Sequence, residues 1–101
     1  MNILSNAFSL QMLEAFPVTV VVEPTVLTEI PADVMSAIGH PDTAAVISDL
    51  LGRTIDPNRV NVTLTKDDTL FVFQLMGGRL PEGATKLPEN FTFKLLKVRL
   101  Q

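Results

Sequence analysis

The chain has 101 residues, the length of one domain spanning residues 1–101. Hydrophobic side chains make up 47% of it, which supplies a core and argues against disorder. The formal net charge is −3; this argues against sequence-blind binding to long nucleic acid, which rests on a basic surface, and leaves open one small anion held by a few converging arginines.

Other classes fall away on composition. Cysteine is absent, so there is neither a disulfide nor a thiolate metal site. The apolar runs, such as Val18 to Val22, are far shorter than the ~20 residues needed to cross a bilayer. The start, Met1-Asn2-Ile3-Leu4, lacks the basic segment of a signal peptide, and a cytoplasmic location is the expectation. All six aromatic residues are Phe, a poor supply of stacking platforms for single strands.

In chain order, Asn2 to Leu4 reads as a short first strand. Ser9 reads as the N-cap of a short helix reaching Phe16, with Leu10, Leu13 and Phe16 on one side and Pro17 as its stop. Val18 to Val22 is β-branched throughout and reads as a buried strand. Pro24 to Asp33 is irregular, either a lid or a plain connector, with a short helix over 32–38 as one option. Pro41 and Gly52 bracket the main helix, with His40 at or beside its N-cap.

Val60 to Thr65 alternates strictly and predicts a half-buried strand. Lys66-Asp67-Asp68 is then a turn, and Thr69 to Met76 the second arm of a hairpin. Both sides of that arm are apolar, as in a central strand. A loop rich in glycine follows, Gly77 to Gly83. The last strand, Phe91 to Leu100, changes phase at Leu95-Leu96, which suggests a bulge. These elements predict a single α/β domain: a mixed sheet of about five strands with helices packed on it.

Chemistry-bearing residues are few. There is no GxGxxG, P-loop, HExxH or GxSxG motif, and one histidine without cysteine argues against a zinc site; no metal and no cofactor is expected. His40 sits where a helix start offers free N–H groups to an anion. Arg79 has a fixed fork of donors suited to phosphate, with Glu82 near it. Each feature also has a plain reading: His40 as a cap, Arg79 and Glu82 as a surface pair in a turn, and Gln74 as either a site residue or the polar end of a strand. Together with Arg59, Ser9 and Asn6 they permit cleavage of a ribose phosphodiester. There the adjacent 2′-hydroxyl is the nucleophile, and the protein aligns the backbone and protonates the leaving oxygen.

The segments Asn6-Ala7-Phe8-Ser9, Ala37-Ile38-Gly39-His40, Asn58-Arg59-Val60 and Arg79-Leu80-Pro81-Glu82-Gly83 resemble, in this order, those of the viral ring nucleases. These are the type III anti-CRISPR proteins, first known as a turreted-virus protein family. The resemblance implies a homodimer that binds cyclic tetra-adenylate across its two-fold axis. It implies cleavage, without metal, to linear di-adenylate ending in 2′,3′-cyclic phosphate. By the matching motifs, His40 resembles the general acid, Arg79 the arginine at the scissile phosphate and Glu82 the acid supporting that site. Asn6, Ser9, Gln11, Arg59 and Gln74 match ligand-contacting positions, Gln11 standing where other members carry a different amide. The chain departs from many members in having only Ala84 to Asn90 between the arginine loop and the last strand, too short for much helix. The alternative to an enzyme is a non-catalytic module that binds a cyclic nucleotide or a protein partner.

Overall fold

A computed structural model describes residues 1–101. The strands are β1 (Asn2–Ser5), β2 (Val20–Pro24), β3 (Met35–Ser36), β4 (Thr69–Met76) and β5 (Thr92–Leu100), with one α-helix, α1 (Pro41–Leu51). They form a single mixed sheet in the order β2-β5-β4-β1-β3. β1 runs parallel to both β3 and β4, whereas β5 is antiparallel to β4 and β2. The fold is the expected α/β class, a five-stranded mixed sheet in one domain.

β4 is central because both of its faces are covered. Phe71 and Phe73 join Leu4, Ile38 and Leu95 under α1, which contributes Ala44 and Ile47. Phe73 stacks on Phe93 at 4.8 Å between ring centroids. Leu70 and Val72 point the other way, as strand alternation requires, into a second layer with Ile3, Val62, Leu64 and Val98.

That second layer accounts for the segment Val60 to Thr65. Val60 to Thr65 is not a strand and makes no hairpin with β4, because β1 and β5 already occupy both edges of β4. The alternation is real as a burial pattern. Val62 and Leu64 are buried and Val60 is 44% exposed, so the segment lies over the sheet as a lining. Its backbone is tied elsewhere: Leu64 N–H donates to the Met12 carbonyl at 2.8 Å.

The helix expected from Ser9 to Phe16 is a single 3-10 turn, Leu10–Met12, although Ser9 caps it as expected, its Oγ accepting the Gln11 N–H at 3.2 Å. Of its predicted apolar side only Leu13 is buried, while Leu10 and Phe16 are exposed; so short a helix has no packing to offset the cost of nucleation. The strand expected over 18–22 is shifted to β2, an edge strand and not a buried one. The option of a helix over 32–38 gives way to β3, which completes the sheet beside β1, and Leu27–Glu29 forms another 3-10 turn.

The last strand has no bulge. β5 pairs with β4 one to one from Thr69↔Arg99 to Met76↔Thr92. The change of phase in its sequence has another cause. Phe93 and Leu95 face the α1 layer at one end of the strand, and Val98 and Leu100 face the second layer at the other. Each layer covers a different half of β5, so the apolar residues change parity without any backbone irregularity.

Candidate functional site

β1, β3 and β4 run in parallel and end on the same side of the sheet, and the chain leaving each one builds the site. After β1, the buried Ser5 turns the backbone by accepting the Ala7 N–H at 3.3 Å, and Asn6 follows at once. After β3 come Ala37 and Ile38, both buried, then Gly39 and His40. After β4 come Gly77, Gly78 and Arg79. In open α/β sheets such carboxyl ends are where ligands bind.

Here they enclose an open crevice of about 1010 Å³, lined by Asn6, His40, Asp42, Thr43, Arg79 and Glu82 among others. His40 holds the N-cap position of α1 with extended backbone, yet its side chain makes no capping hydrogen bond. The imidazole is therefore not spent on the helix. Pro41 has no N–H, and the Asp42 and Thr43 N–H groups have no backbone acceptor, so the positive end of the helix opens on the crevice.

The loop after β4 approaches from the opposite wall. Gly77, at φ 120°, lies so close to the chain at 90–91 that a Cβ there would sit 3.1 Å from the Asn90 carbonyl oxygen. Pro81 to Ala84 is a turn closed by Ala84 N–H to the Pro81 carbonyl at 3.1 Å, with Gly83 at φ 78°, as the third position of a type II turn requires. Glu82 stands at the corner of that turn. Gly83 N–H donates to Asp42 Oδ2 at 3.2 Å.

The crevice thus gathers His40, Arg79, Glu82 and Asn6. It does not gather Ser9, Gln11, Arg59 or Gln74. Arg59 is nearest: Asn58 N–H bonds the Ile38 carbonyl at 2.7 Å, which lays Arg59 across Gly39, next to His40. Gln74 is exposed and alternates with Leu75, which lines the crevice, so it points to the other face; its Nε2 donates to the Leu75 carbonyl. Ser9 and Gln11 belong to the 3-10 turn beside the second layer. Asp42 also lines the crevice, and its one signal in the sequence is an acid in the first turn of a helix, where a carboxylate is favoured. In a single chain the crevice holds one guanidinium against the two carboxylates of Asp42 and Glu82, so it is not strongly cationic.

An open mixed sheet with a polar crevice at the carboxyl ends of its parallel strands defines the class, a single α/β domain. The particular family is shown by sequence: the STIV B116-like family model matches residues 2–95, and the chain belongs to that family. Among solved structures it is similar to B116 of Sulfolobus turreted icosahedral virus, at 24% identity and a TM-score of 0.80, with 97% of each chain covered. That similarity concerns the fold. No curated protein matches the chain in sequence.

Proposed function

We propose that this protein is a metal-independent ring nuclease that opens cyclic tetra-adenylate to linear di-adenylate ending in 2′,3′-cyclic phosphate. It acts as a homodimer in the cytoplasm and thereby shuts off type III CRISPR signalling. The observation that carries this reading is the unspent imidazole of His40 across one crevice from Arg79 and Glu82, at an open helix start.

The reaction suits these groups. A ribose 2′-oxygen attacks the neighbouring phosphorus, its proton passing to solvent, and the bond from phosphorus to the 5′-oxygen breaks. The imidazolium of His40 gives its proton to that leaving oxygen. Arg79 binds the phosphate oxygens through its fork, and the free N–H groups of Asp42 and Thr43 receive charge that develops on them. Glu82 orients Arg79. Asn6 contacts the ligand in the same crevice. Arg59, Ser9, Gln11 and Gln74 are assigned to parts of the ring beyond it, reached when two copies face each other.

The deciding experiment incubates the protein, in excess over labelled cyclic tetra-adenylate, with EDTA. The expected result is linear di-adenylate with a cyclic phosphate end. Tight binding without product would replace the enzyme by a sequestering module, and absence of both binding and product would end the cyclic-nucleotide reading.

A further inference from the structure

Residues 78–83 carry Arg79 and Glu82, and they are tied to the remainder of the fold by little. The root of the loop is fixed by Gly77 against the chain at 90–91. Gly78 has open space around it, and Arg79, Pro81 and Glu82 are exposed. The single hydrogen bond from these residues to another element is Gly83 N–H to Asp42 Oδ2. Asp42 itself belongs to a helix packed on the core. It sits in the first turn of α1, between the exposed Pro41 and the buried Ala44, on a helix whose Val46 and Ile47 are fully buried.

We propose that Asp42 is a positioning residue: it latches the turn bearing Glu82 to the start of α1, and so holds Arg79 and Glu82 opposite His40. Its consequence for cleavage rests on the ring-nuclease reading, whereas the latch itself rests on the geometry. A carboxylate is a costly neighbour for a phosphate ligand, since it opposes the very charge the crevice must bind. An acid is therefore best explained here by a task that needs an acceptor. The Gly83 N–H lies at the centre of a turn, where its own turn offers no partner, and a carboxylate anchored at a positive helix end is a strong acceptor for it. The latch also sets the distance between the two walls. Arg79 and His40 come from different elements, so without it their separation depends on a loop free to swing about Gly78.

Asp42→Asn and Asp42→Ala separate the acceptor from the charge, because both remove the charge and only the alanine removes the acceptor. Backbone relaxation by NMR reads the latch without ligand. In wild type and Asp42→Asn, Gly83 and its neighbours are ordered, whereas in Asp42→Ala their order parameters fall from about 0.85 to below about 0.6. Resonances of the sheet, unchanged in both variants, report that the fold is kept. Single-turnover cleavage of cyclic tetra-adenylate in EDTA reads the consequence. Asp42→Ala is slowed at least about tenfold, and Asp42→Asn is slowed less than Asp42→Ala. Binding of the ring, followed at low salt, tightens in Asp42→Asn as the carboxylate is lost, and less so in Asp42→Ala, where Arg79 is no longer held.

An ordered loop in Asp42→Ala overturns the latch. A mobile loop with undiminished cleavage overturns its positioning role, and so does an Asp42→Asn variant as slow as Asp42→Ala. If wild type leaves the ring intact, the ring-nuclease reading fails, and the relaxation data still decide whether Asp42 holds the loop.

Discussion

His40 stands at the capping position of α1 with its ring unbonded, and this changes what its position means. A histidine that caps a helix is spent on the backbone; the ring of this one is not. His40→Ala is expected to retain binding of cyclic tetra-adenylate and to lose turnover by about 10²–10⁴-fold, the usual contribution of a general acid; equilibrium binding and single-turnover cleavage measured side by side check it. A second residue-scale expectation concerns Asp68. Burial pushes its carboxyl up, but the Thr65 N–H at 2.9 Å, the Met1 amino group and the Thr65 hydroxyl outweigh this and hold it below the usual carboxylate range. A depressed carboxyl stabilises the fold above its unfolded value of about 3.9, and that stability is lost as pH falls through the folded value. Urea unfolding of wild type and Asp68→Asn is thus expected to differ at neutral pH, with wild type the more stable, and to converge in acid.

At the scale of elements, α1 is the best-specified piece of the chain. Pro41 starts it, and Gly52 ends it in the left-handed region at φ 71° with its N–H on the Ser48 carbonyl. No side chain or backbone lies within 4 Å of where a Gly52 Cβ would stand, so Gly52→Ala tests backbone strain alone. The expected loss is about 1 kcal/mol, read by denaturant unfolding. β4 was legible for the same reason as α1: its signal is local, eight residues apolar on both sides. The segment 60–65 shows the limit of such signals. Alternation at 60, 62 and 64 states that one side is buried; it does not state what the backbone bonds to. Likewise the change of phase in β5 reports two coverings offset along one strand, a fact about other elements that β5 does not contain.

For the whole molecule, the charge of the crevice is the informative quantity. One arginine faces two acids there, a weak match for a ring of four phosphodiesters, and Arg59 stands just outside, across Gly39. Under the ring-nuclease reading, the missing positive charge comes from a second copy, and an isologous pair presents its two crevices symmetrically. Sedimentation equilibrium is therefore expected to give twice the mass of one chain, and ring affinity to fall as salt is raised. A chain that sediments as a monomer while cleaving the ring would remove the dimer from the mechanism.

The sequence by itself determined the α/β class, the extent of β4, the main helix with His40 at its start, and the glycine-bearing loop around Arg79 and Glu82. Each is written in local chemistry: β-branched runs, a Pro and Gly pair, glycines where φ is positive. The parallel pairing of β1 with β3 and β4, the burial of Val62 and Leu64 without a hairpin, and the hydrogen bond from Gly83 to Asp42 across 41 positions were decided only by the tertiary structure. Strand partners and layer coverage depend on which edges are already occupied and which faces remain open, and those are properties of the assembled sheet.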